Sequence, residues 1–198
     1  MPMTDRHRIR ASWHDYCDGI YFVTICCGDK SHHLGEISDG EMSLSPVGMI
    51  VDQCIADISV HSGSVEVLNY VVMPNHVHFI VEIHKLECDE LQNPDLGCLR
   101  QSDHGVGCVD FHFNSELSKA VRLFKAACTR LVRRLPGYEE IELWQRNYHE
   151  HIIRDQHAFD NIMLYIDTNV MNWGYDRFHP SPSEGAPWEH RPQNPDKG

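Results

Sequence analysis

Tyr70-Val-Val-Met-Pro-Asn-His-Val-His-Phe-Ile-Val81 is a β-strand signal broken once, at Met73-Pro74-Asn75, and resumed at once. Pro74 cannot donate to a sheet ladder and Asn75 tolerates turn geometry, so a tight break at this point costs little. Beyond it, side chains two apart share a face of the strand. Val77, Phe79 and Val81 therefore point to one side, a core, while His76, His78 and Ile80 point to the other. Two imidazoles side by side on a rigid strand make a ready pair of metal ligands. The chain holds 15 histidines, so a chance His-x-His pair is expected, and the motif needs a third ligand and a reactive group elsewhere.

Both are found near the other end of the chain. Residues 159–169 read as a helix, with Phe159, Ile162, Met163 and Ile166 recurring at helical spacing. Tyr165 and Asn169 are four apart and share a face of it. A phenol and a carboxamide oxygen presented together can supply a nucleophile and a hard oxygen ligand. Taken singly, a helical Tyr usually packs, and an Asn near a helix C-terminus usually caps it.

The sequence resembles the REP-associated tyrosine transposases, members of the single-tyrosine transposase group within the HUH endonuclease superfamily. His76-Val77-His78 is similar to that family's His-hydrophobic-His motif, and Tyr165-Ile-Asp-Thr-Asn169 to its Tyr-Ile-x-x-Asn segment. Leu143-Trp-Gln-Arg-Asn-Tyr-His-Glu-His-Ile-Ile-Arg154 is similar to the segment before that helix. Tyr21-Phe-Val-Thr-Ile-Cys26, with Gly35-Glu-Ile and Gly40-Glu-Met, resembles the opening hairpin. The resemblance runs from about Arg8 to Trp173 and is weakest over residues 86–112. It departs at Val170, where the family usually has proline; this alters the helix exit rather than the chemistry.

The resemblance implies a ferredoxin-like palm and a catalytic tyrosine, Tyr165. It also implies a 5′-phosphotyrosine link, a free 3′-OH and a single-stranded, hairpin-bearing substrate. A covalent intermediate conserves the energy of the phosphodiester bond for rejoining. A phenol with an ordinary pKa near 10 needs help to attack at neutral pH. A divalent metal held by His76, His78 and a third oxygen, that of Asn169, would polarise the scissile phosphate. Imidazole plus oxygen ligation suits Mg2+ or Mn2+.

Length and composition bound the reading. At 198 residues the chain is expected to form one domain, residues 1–178, with a disordered tail over 179–198. No run of eighteen apolar residues suggests a membrane helix, and residues 1–14 lack an apolar signal core, so a cytoplasmic protein is expected. Of the eight cysteines, Cys26, Cys27, Cys54 and Cys128 sit in apolar patterns and read as small buried hydrophobes, kept reduced in the cytosol.

The formal net charge of -12 is unusual for a DNA-binding protein. The charge is segregated, however. Residues 86–112 hold six acids against Arg100 alone and read as an acidic insertion; Cys88, Cys98 and Cys108 within it match no usual zinc spacing. Residues 115–134 hold Lys119, Arg122, Lys125, Arg130, Arg133 and Arg134 against Glu116, and the N-terminal arm adds Arg6, Arg8 and Arg10. DNA contacts are expected from Arg6, Arg8, Arg10, Lys119, Arg122, Arg130 and Arg133. Monomer and homodimer both stay open.

In chain order, residues 21–27 read as a strand and 35–44 as a hairpin turning at Ser38-Asp-Gly40. A helix is capped by Ser45 and opened by Pro46, with a stripe of Val47, Ile50, Val51, Cys54, Ile55 and Ile58. Residues 65–72 and 76–83 form two strands. A helix starts at Asn114-Ser115 and buries Leu117, Val121, Phe124, Ala127, Cys128 and Leu131, and residues 143–153 read as a strand. The order predicts an α+β domain: an antiparallel sheet with helices packed on one face. Tyr148 is the rival nucleophile, read as a packing or base-stacking residue. Two other functions compete: a DNA-binding regulator that has lost catalysis, favoured by the acidic balance, and a water-activating metal hydrolase, for which no His-Glu-x-x-His pattern is present.

Overall fold

A computed structural model describes residues 19–84 and 116–180. Arg6, Arg8, Arg10, the acidic segment 86–112, Asn114, Ser115 and the tail beyond Pro180 lie outside the described residues.

Four strands form an antiparallel sheet: β1 (Gly19–Cys26), β4 (Val65–Met73), β5 (His76–Ile83) and β6 (His149–Ile153), in spatial order β4-β5-β1-β6. A separate hairpin, β2 (Gly35–Ser38) with β3 (Glu41–Leu44), turns through Asp39 and Gly40, both at positive φ. The helices are α1 (Pro46–His61), α2 (Glu116–Val132) and α3 (Gln156–Thr168). Setting the hairpin and α3 aside, the chain runs β-α-β-β-α-β with the first strand central, the ferredoxin-like arrangement expected from the sequence.

Local chemistry explains the element ends. Ser45 caps α1, its hydroxyl accepting from Gly48 N–H at 3.0 Å, and Pro46 opens the first turn. Gly48 lets that turn approach the hairpin, since a Cβ there would lie 1.9 Å from the Leu34 carbonyl oxygen. Met73 pairs with His76 across the Pro74-Asn75 turn. The turn's two carbonyls are anchored by Leu34 N–H (to Pro74, 3.0 Å) and Cys27 N–H (to Asn75, 2.8 Å). The break in the strand signal is thus a hairpin pinned at both carbonyls.

The strand alternation places Tyr21, Val23, Ile25, Val77, Phe79, Val81 and Ile83 in one core, covered by α1 through Val47, Val51 and Ile55 and by α2 through Leu117, Val121, Phe124, Cys128 and Val132. All three helices do not share that face. Phe22, Ile80 and Ile153 leave an apolar patch on the reverse of the sheet, and α3 covers it with Ile162 and Ile166. A patch of that kind has to be buried, so the sheet is sandwiched rather than covered on one side.

A second expectation is shortened. Only His149–Ile153 of residues 143–153 pairs along the sheet, and Trp144 makes a single bridge to Cys27. Between them the backbone spends its carbonyls elsewhere: Lys125 on α2 donates to those of Gln145, Arg146 and Asn147 at 2.9, 3.4 and 3.1 Å. Cys26, Cys27, Cys54 and Cys128 are buried free thiols. No described helix is long and apolar enough to cross a membrane.

Candidate functional site

The site lies where β5 meets α3, on the reverse of the main core. His76 and His78 are buried, 0% and 1% exposed, rather than half-exposed strand histidines. Their Nε2 atoms converge to 3.0 Å. Each Nδ1 is occupied: that of His76 by Asn75 Oδ1 at 2.8 Å, and that of His78 by Thr24 Oγ1 at 2.8 Å, across the Thr24–His78 register pair.

These partners set the tautomers. The Asn75 amide donates through Nδ2 to the carbonyls of Phe178 (2.9 Å) and Lys30 (3.2 Å), so its oxygen faces His76. That oxygen can only accept, so His76 carries its proton on Nδ1 and offers a lone pair at Nε2. Thr24 either donates or accepts. It therefore permits a His78 that donates from Nε2 to His76, and equally one that donates from Nδ1 to Thr24 and frees Nε2 for a cation.

Tyr165 completes the cluster from α3. Its Oη lies 3.2 Å from His78 Nε2, and it donates to Asp176 Oδ2 at 3.2 Å. Phe22 stacks on His78 (5.1 Å between ring centroids) and meets Tyr165 edge-on (6.0 Å), holding both rings. Asn169, one turn along, is 2% exposed; neither end of its amide makes a hydrogen bond of good geometry, though it lies close enough to the Tyr165 phenol to favour its anion. It caps α3 in the right-handed region (φ -60, ψ -43). A proline at 170 would disfavour that conformation, so Val170 is what lets the chain continue through the turn at Trp173–Tyr175 to Asp176.

The electrostatics follow from burial. Desolvation pushes His76 down to about 3, assisted by the charge of Arg177, and pushes His78 well below its ordinary range, with His76, Arg177 and His149 adding to it. Both are neutral imidazoles, the form that binds metals. The Tyr165 phenol is raised above its ordinary 10, first by burial and then by the Asp176 carboxylate, while Asn169 and Arg177 pull the other way. Without a compensating cation the phenol stays protonated.

This burial predicts an acid-sensitive fold. Between the ordinary 6.5 and the depressed folded values, the unfolded chain binds more protons than the folded one, so stability falls as pH drops through that window. In EDTA, urea unfolding should lose about 1.4 kcal/mol per pH unit for each of the two histidines as pH falls from about 6.5 towards 5. His76→Gln should flatten that slope; an unchanged slope would place the acid sensitivity elsewhere.

The donor set fits a divalent cation. Metal–nitrogen bonds of about 2.1 Å meeting near a right angle put two nitrogens about 3 Å apart, and His76 and His78 have that spacing. His76, His78 and Asp176 each bring a ligand atom within 4.8 Å of the others. The unpaired Asn169 amide is a further buried oxygen donor in want of a partner.

The basic residues are not part of this cluster. Lys119, Arg122 and Arg130 lie on α2, which packs on the opposite face of the sheet, and Arg133 follows its last residue. Lys119 is paired with Glu116 at 2.6 Å and Arg133 donates to the Ile141 carbonyl at 3.2 Å, whereas Arg122 and Arg130 are exposed. Lys125, Thr129, Arg130, Arg133, Trp144 and Arg146 line a groove of about 680 Å3. The groove reaches the end of the sheet at which His76 sits: Gln145 N–H donates to the Cys26 carbonyl, and Cys26 is the register partner of His76. Tyr148 faces α2, its Oη 3.3 Å from Ser118 Oγ and Lys125 Nζ 5.8 Å from its ring, on the side away from Tyr165.

Sequence reasoning passed over three residues here. Thr24 is a polar residue in an apolar strand, a signal that was present. Asn75 carries in the sequence only the signal of a turn former. Asp176 has no local signal, because a turn after α3 delivers it.

No family model matches the chain. It is 34% identical over 176 residues to an uncharacterised protein of Haemophilus influenzae (strain ATCC 51907 / DSM 11121 / KW20 / Rd), covering 88% of this chain and 93% of that protein. It is 26% identical over 117 residues to a second protein of the same strain, provisionally described as a REP-associated tyrosine transposase, covering 54% of this chain and 56% of that one. Among solved structures, a REP-associated tyrosine transposase bound to a REP hairpin superposes with a TM-score of 0.51 at 18% identity, covering 84% of this chain and 76% of that one.

Proposed function

We propose that the chain, which shares the fold of a REP-associated tyrosine transposase and is similar to a relative provisionally described as one, is a member of that family and cuts and rejoins single-stranded, hairpin-bearing DNA through Tyr165. The observation that carries this reading is the Tyr165 phenol 3.2 Å from Nε2 of His78, which itself stands 3.0 Å from Nε2 of His76. A nucleophile and two converging neutral imidazoles are thereby presented to one phosphate.

In this reading Tyr165 Oη attacks the scissile phosphorus in line. A Tyr165 Oη–phosphorus bond forms and the bond from phosphorus to the 3′ oxygen breaks. The phenol's proton ends on the departing 3′ oxygen, so the strand leaves with a free 3′-OH and the 5′ end stays on the protein. Rejoining is the same step reversed, with a 3′-OH attacking the phosphotyrosine. His76, His78 and the Asn169 oxygen would hold Mg2+ or Mn2+, which when bound would supply positive charge to the scissile phosphate. Phe22 keeps His78 and Tyr165 in mutual orientation, and Asn75 keeps Nε2 of His76 free for coordination.

The acting unit is the domain of residues 1–178, in the cytoplasm where its DNA lies. Its phosphate contacts are Arg6, Arg8 and Arg10 with Lys119, Arg122 and Arg130 of α2 and Arg133 just beyond it. Binding should weaken steeply with salt, and replacing the exposed Arg122 and Arg130 together should flatten the log–log salt slope by about one to two units. An unchanged slope would move the DNA path off α2.

The net charge of -12 favours a second reading, a DNA-binding regulator that no longer cuts. One assay separates the two. Candidate hairpin DNAs are incubated with Mn2+, Mg2+ or EDTA and resolved on a denaturing gel. A metal-dependent protein–DNA adduct is expected; binding without an adduct under any metal would favour the regulator.

A further inference from the structure

We infer that Asp176 supplies the anionic ligand of the cation site, completing a set with His76 and His78 in which Asn169 is the neutral oxygen. The inference rests on the reading that this site holds a divalent cation.

Three observations carry it. The first is placement: His76, His78 and Asp176 are all buried, with ligand atoms mutually within 4.8 Å. The second is charge. Two imidazoles and a carboxamide are neutral, and a buried dication needs an anion to offset its desolvation. Carboxylate oxygen is also the donor that suits Mg2+ and Mn2+, whereas imidazole alone favours softer ions.

The third is rigidity. Asp176 is held by its own N–H to the Trp173 carbonyl (2.9 Å), and its Oδ1 accepts from Phe178 N–H at 2.7 Å. The Phe178 ring lies against His76 with centroids 4.5 Å apart, and the Phe178 carbonyl accepts from Asn75 Nδ2. Asn75 thus aligns both ends of the site: its oxygen orients His76 and its nitrogen ties down the turn that carries Asp176. With Oδ1 committed to that turn, Oδ2 is the ligand atom, and in this structure it accepts the Tyr165 hydroxyl. Turning Oδ2 to a cation releases the phenol, so loading the site and freeing the nucleophile become one event.

Mn2+ titration of the full chain by calorimetry tests this, with His78→Ala defining which heat belongs to the site. Glu82→Gln is used as the background, because the half-buried Glu82 also clusters with the exposed Glu66 and His84. Asp176→Asn keeps an oxygen for Phe178 N–H and removes the charge. It is expected to bind Mn2+ at least about tenfold more weakly with its thermal unfolding otherwise that of the parent. Unchanged Mn2+ affinity in Asp176→Asn overturns the inference while leaving the cation site standing. No Mn2+ binding by the parent overturns both. Should Asp176→Asn fail to fold, the parent labelled with 13C-aspartate decides: the Asp176 carboxyl resonance should move on Mg2+ addition, and a stationary resonance overturns the assignment.

Discussion

Tyr165→Phe is expected to eliminate the covalent DNA adduct, lowering strand cleavage by about four orders of magnitude or more, while hairpin binding stays within a few fold of the parent. The substitution removes one oxygen and leaves the ring in its packing against Phe22 and His78. The lost hydroxyl bonds cost about 1 kcal/mol of stability, so a folded protein remains for assay. Tyr148→Phe should keep the adduct, because the Tyr148 hydroxyl lies beside Ser118 on α2, across the sheet from the histidine pair. Mass spectrometry of the adducted peptide gives the direct answer. DNA attached at Tyr148 would overturn the assignment of the nucleophile and the reading of α3 as half of the site.

His78→Ala is the second large effect. His78 touches three partners at once: His76 Nε2 at 3.0 Å, Tyr165 Oη at 3.2 Å and Thr24 Oγ1 at 2.8 Å. Its loss removes one of two converging nitrogen ligands and the polar contact that positions the phenol. Cleavage with Mg2+ or Mn2+ should fall by about three orders of magnitude or more, with hairpin affinity changed by less than about threefold. The affinity should be spared if, as proposed, the phosphate contacts come from the basic residues of 119–133 and the N-terminal arm rather than from the histidine pair, since charge contacts dominate binding. Parental cleavage by the variant in Mn2+ would remove His78 from the cation site.

What the sequence determined by itself was periodic. Alternation along 70–81 placed Val77, Phe79 and Val81 opposite His76 and His78, and the 3.6-residue repeat put Tyr165 and Asn169 on one helix face. Ser45-Pro46 marked a helix start and Pro74-Asn75 a hairpin, because caps and turns are written in local residue chemistry. Those features hold in the structure, and with them the antiparallel sheet and the ferredoxin-like strand order.

Only the tertiary structure decided which elements face one another. Whether α3 joins α1 and α2 or takes the reverse of the sheet depends on Phe22, Ile80 and Ile153, three residues far apart in the chain that make one apolar patch. The same holds for the missed site residues: Thr24 reaches His78 across a register 54 positions long, and Asp176 reaches Tyr165 by a turn after α3. The strand expected over 143–153 is interrupted at 145–147, whose carbonyls accept from Lys125 on another element. Long-range pairings of this kind are set by which buried groups satisfy one another, and local period carries no record of that.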